Sequence, residues 1–215
     1  MAECEMIFEL IANGIVTLGA AFFGAWAAFK YENATRKKQQ ENDEVAAGNR
    51  ALYTLSNIWN ISKQYQDEAV KNWRGKEDAW LNLPVTMPLD DNDTTFNIQD
   101  LSFLLDSYAG TFQEVLLQGT RFRFVATLID RQKELVLSEV FPRLSAANIQ
   151  IGEQRPQGEI AEILGISTCH QLKVLVEGII SNIDQDVISS RNAFASLRTV
   201  LKKIYPNRKF IELPA

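Results

Sequence analysis

A single histidine limits the chemistry this chain can perform. His170 follows Cys169, and these two, with Cys4, are the only histidine and cysteine residues in 215. Adjacent residues on a helix diverge by about 100°. Cys169 and His170 therefore cannot face one another as nucleophile and base, and no second histidine is available to complete a zinc set. Carboxylates are more plentiful. Glu159 and Glu162 stand three apart, but the Glu-x-x-His of a di-iron bundle is missing. Asp184 and Asp186 are two apart and diverge on a helix. Asp90-Asp91-Asn92-Asp93 suggests a calcium loop. Counted from Asp91, however, Phe96 falls where an EF-hand needs glycine and Ser102 where it needs glutamate. No phosphate-binding Gly-Lys-Ser/Thr loop, GxGxxG, HExxH or GxSxG is present. The expectation is a non-enzymatic protein without metal or cofactor. Carboxylates converging from different helices remain one alternative.

The element that organises the chain lies upstream of all these residues. Leu10 to Phe29 is an uncharged, almost wholly apolar run, bounded by Glu9 and Lys30. As a helix it measures about 30 Å, the thickness of a bilayer's hydrocarbon core. Trp26 and Tyr31 fall near its end, where aromatic rings favour the headgroup region. The leader carries Glu3, Glu5 and Glu9 and no basic residue. A cleaved signal peptide needs the reverse. Lys30, Arg36, Lys37 and Lys38 form a basic collar downstream. The positive-inside rule then places residues 1–9 outside, 10–30 across the membrane, and the rest in the cytoplasm. The layout resembles that of single-span bacterial inner-membrane proteins.

Within the span, Asn13, Thr17, Ala20, Gly24 and Ala28 recur at steps of three and four and share a small or polar face. Small residues at this spacing let helices approach closely, and an intramembrane asparagine can hydrogen-bond across the contact. Self-association through this face is expected.

Residues 31–205 read as an all-α, antiparallel helical bundle. Three long amphipathic segments, near 31–74, 108–145 and 167–205, are joined by short helices and an irregular stretch at 75–97 holding Pro84 and Pro88. Gly75 should stop the first. Asn97 should cap a helix. Gly165 should end a short helix at 159–164, and Ser167 should cap the last long one, which stops before Pro206. The tail, 206–215, should pack across the bundle. Arg121-Phe122-Arg123-Phe124 reads as core phenylalanines beside surface arginines. A net charge of −5 and a pI near 5.1 argue against nucleic acid as a partner.

The partners expected are membrane lipid, further copies of the chain and another protein, with Trp73 and Trp80 as exposed contact points. A membrane-perturbing effector of the toxin or abortive-infection type, acting through oligomerisation of the span, is a second reading. A carboxylate-based enzyme in the bundle core is the third.

Overall fold

The computed structural model describes residues 2–86, 89, 94–150, 153 and 155–213, with the side chains of 2–17 and Ala20 left aside. The acidic cluster at 90–93 and the side chains of Cys4, Asn13, Thr17 and Ala20 therefore lie outside the described residues. The fold is all-helical, and no strand occurs among the described residues. Helix α1 covers Ala2–Tyr65 and passes into a π-helical turn at Gln66–Val70. A short α2, Ala79–Asn82, follows. A 3-10 turn at Ser102–Leu104 leads into α3, Leu105–Leu135. A second π-helical turn, Val136–Val140, joins α3 to α4, Phe141–Ala146. Helix α5 covers Gln157–Ile204. The chain divides into two units, Met1–Ala46 and Ala47–Ala215.

In the second unit, heptad-like spacing explains the core. The buried positions include 51, 55, 58, 62 and 65 on α1, carried on by 69 in the first π turn, and 115, 118, 122, 125, 129 and 132 on α3, carried on by 136 in the second. On α5 they include 172, 176, 179, 183, 186, 190, 194, 197 and 201. Alternating steps of three and four keep one stripe of a helix turned toward its neighbours. Leu55, Ile58, Phe122, Ile179, Ile183 and Leu197 are fully buried on these stripes. Each contributes roughly 1.5–3 kcal/mol by leaving water.

Contacts fix the helix directions. Gly48 meets Leu201 and Ser62 meets Asp186, so α1 and α5 run oppositely over this stretch. Thr111 meets Ser196, Gln118 meets Asp186 and Gly178 meets Leu128, so α3 also runs against α5. Among the described residues, α5 is long and apolar enough to be a weak candidate for a membrane span, and 33% of its most apolar window is buried. Its apolar face packs against α2, α3 and α4.

Breaks fall near the residues that signal them. Gly75 has φ 73° just past the first π turn. Gly165, with φ 77° and ψ 157°, interrupts α5, so the expected short helix and long helix are two arms of one bent element that starts at Gln157. The bend frees the Leu164 carbonyl, which accepts a hydrogen bond from Arg143. Arg143 is steadied by Glu139 at 3.0 Å, and Glu139 in turn accepts from the Thr168 hydroxyl at 2.9 Å. Asn97 caps no α-helix; it forms an Asx turn, accepting from Gln99 N–H at 3.1 Å. Phe122 is buried as expected, but Phe124 is 53% exposed because two residues along a helix turn about 200° away. The tail packs as expected: Phe210 is buried, and Asn49 exchanges hydrogen bonds with Lys209 and Ile211.

Candidate functional site

In the first unit, the described part of the apolar run carries Leu18, Phe22, Phe23, Trp26 and Phe29, each between 50 and 73% exposed. Gly24 and Ala28, from the expected association face, are also exposed. A Cβ added at Gly24 would meet nothing within 4 Å. Lys30 lies 4.5 Å above the Trp26 ring. Arg36 pairs with Glu32 at 2.6 Å one turn away, and Lys37 and Lys38 are exposed.

In the second unit, the chemistry-bearing residues do not gather. Cys169 is buried, its Sγ 3.7 Å from the Ala161 carbonyl, while His170 faces solvent. Glu159 pairs with Arg155. Glu162 is exposed. Asp184 accepts from Arg74 and from Gln66, the latter at 2.8 Å. Among the described residues no group of three histidine, cysteine or acidic side chains is placed to hold a metal.

One carboxyl is different. Asp186 is 1% exposed and sits where the three long helices meet. Ser62 of α1 donates to one of its oxygens at 2.6 Å, and Gln118 of α3 donates to the other. Ser190, one turn on, donates to the Asp186 backbone carbonyl at 2.7 Å. Burial pushes the Asp186 carboxyl up to about 6, against the opposing pull of its two donors and of Arg121. A single carboxyl with two neutral donors has no second acid or base with which to share a proton. It acts here as a polar tie among the helices. Sequence reasoning paired Asp186 with Asp184 and passed over Ser62 and Gln118. The usable signal was that all three occupy core-stripe positions otherwise held by apolar residues.

A second polar locus lies two heptads along α3, about 21 Å from Gln118 by helical rise. Gln132 is 2% exposed and donates through Nε2 to the Leu83 carbonyl at 3.2 Å. Its Oε1 is buried without a partner, as is the indole N–H of Trp80. Both residues line a cleft of about 860 Å³. Trp80 is thus not the exposed contact point expected; it is 5% exposed and forms a wall. Trp73 is half-buried at the same cleft, its ring under the Lys76 ammonium. The packing of α2 explains the difference: it ends before Pro84, and its own contact with α5 turns Trp80 inward. A nearby hydroxyl, Tyr65, is pushed up to about 12 by burial. Its Thr86 neighbour opposes that shift but is not aligned for a hydrogen bond.

No family model matches this sequence, and no curated protein and no solved structure matches it.

Proposed function

We propose that this chain is a single-pass membrane protein whose residues 10–30 span the bilayer, with the N-terminus outside and a cytoplasmic antiparallel helical bundle that binds protein partners or further copies of itself. The observation that supports this most is the row Leu18, Phe22, Phe23, Trp26 and Phe29. These side chains are exposed, spaced along one uncharged run, and followed at once by Lys30 and the basic collar. Apolar surface of that extent requires lipid or a partner to cover it. In the second unit, buried polar residues on the core stripes of α1, α3 and α5 favour one register of the bundle, as a buried polar position does in a coiled coil. A domain of that kind, with no converged acid–base pair among its described residues, suits binding better than catalysis.

The test is carbonate extraction of membranes from expressing cells, combined with cysteine labelling from outside. An integral protein in which Cys4 reacts with an impermeant reagent added to intact cells would support the anchor and its orientation. Release into the carbonate supernatant would refute the span and turn Leu10–Phe29 into a helix that docks on another protein.

A further inference from the structure

The basic collar after the apolar run is more finely divided than its sequence suggests. Residues 30–38 hold four cations, Lys30, Arg36, Lys37 and Lys38, and one carboxylate, Glu32. All five side chains are exposed. Arg36 and Glu32 pair at 2.6 Å, so their charges offset one another. Lys30, Lys37 and Lys38 make no ion pair among the described residues. Two of the next acids are turned to other partners: Asp43 accepts from Gln39 at 3.0 Å and Glu44 from Gln40 at 2.9 Å. Three uncompensated ammonium groups therefore stand at the end of the apolar run.

Their spacing suits the headgroup layer. The Lys30 ammonium lies 4.5 Å above the Trp26 ring, which is itself 50% exposed. A cation over an indole joins two groups that each favour the membrane interface. Trp26, Lys30 and Lys37 follow steps of four and seven, so they share one face of α1, and Lys38 flanks it. Lys30 to Lys38 rises about 12 Å, and the headgroup layer is roughly 5–8 Å deep. Helical side chains tilt toward the N-terminus, and a lysine stem is long and flexible. Lys37 and Lys38 can thus reach back into that layer. A zwitterionic lipid brings its own ammonium with its phosphate, whereas an anionic lipid presents the phosphate charge alone. Unpaired lysines gain most from the second.

We propose that the face formed by Trp26, Lys30, Lys37 and Lys38 selects anionic over zwitterionic phospholipid beside the helix, a proposal that rests on the membrane-span reading. The purified full chain is reconstituted in vesicles of mixed phosphatidylglycerol and phosphatidylcholine, with one lipid or the other brominated on its acyl chains. Bromine quenches tryptophan at short range, and Trp26→Phe supplies the background from Trp59, Trp73 and Trp80. The ratio of the two quenching efficiencies gives the relative affinity of the lipids. It should favour phosphatidylglycerol by about threefold or more at about 0.02 M salt and fall toward unity at about 0.5 M. Replacing Lys30, Lys37 and Lys38 together by glutamine should abolish the preference at low salt. Glu32→Gln with Arg36→Gln, which removes the offset pair, should leave it unchanged. Equal quenching by the two lipids in the wild type would overturn the selectivity and leave the span standing, as would a preference that the triple lysine variant keeps. Quenching by neither lipid would sink span and selectivity together, because Trp26 would then lie outside the bilayer.

Discussion

At the scale of single residues, Asp186 makes the sharpest prediction. Its ordinary pKa of 3.8 rises to about 6 in the fold, so the folded state holds its proton more tightly than the unfolded chain does. Stability from this group is therefore full below pH 4, falls between pH 4 and 6, and is absent above 6. The span of that loss is roughly 3 kcal/mol. Asp186→Asn should flatten this window in urea titrations run from pH 4 to 7. It should also raise stability at pH 7, because the Ser62 hydroxyl can rotate to accept from the new amide. A variant that keeps the wild-type slope would remove Asp186 as its source. Ser62→Ala acts in the opposite sense. One carboxyl oxygen loses its donor, so the variant should lose about 1–3 kcal/mol at pH 7, and the pH window should move upward.

At the scale of elements, the bend in α5 and the span face carry separate tests. Gly165 adopts φ 77° with ψ 157°, outside the left-handed region that asparagine tolerates. A Cβ there would meet only Arg143 at 3.7 Å, an ordinary contact. The cost of Gly165→Ala is thus conformational, about 1–3 kcal/mol, and Gly165→Asn should be no better. Equal melting temperatures for wild type and alanine variant would contradict this. For the N-terminal helix, a Cβ at Gly24 meets nothing within 4 Å beyond the backbone of its own helical turns. Gly24→Leu should therefore leave folding intact and lower dimer signal several-fold in a membrane two-hybrid reporter, if copies pack through the small-residue face. An undiminished signal would take Gly24 out of any such contact.

At the scale of the whole molecule, an anchored chain with a bundle that binds partners differs from one that damages membranes. Under the first reading, strong expression leaves the membrane potential unchanged as followed by a potential-sensitive dye. Depolarisation that Asn13→Leu relieves would transfer the function to the span itself. The Ser62–Asp186–Gln118 bonds tie three helices of the second unit together, so it should unfold as one cooperative body. Disrupting Gln118 should lower its single unfolding midpoint rather than split it in two.

The all-helical class, the long segments near 108–145 and 167–205, the stops at Gly75 and Pro206 and the break at Gly165 were legible in the chain. Each follows from local rules: apolar spacing, missing charge, or a residue whose backbone admits a turn. The apolar run at 10–29 is equally plain, though what covers it is a matter for experiment. Tertiary structure decided what local pattern could not. Phe124 lies outside because helix phase, not aromatic character, selects the inward face. Trp80 lies inside because its short helix, α2, packs against α5. Ser62, Gln118 and Asp186 are separated by at least 56 residues in sequence, and each alone reads as an ordinary polar side chain. Only when three helices set their stripes together does a hydroxyl meet one carboxyl oxygen and an amide the other. The same packing buries the indole N–H of Trp80 and the amide oxygen of Gln132 away from any partner in the protein.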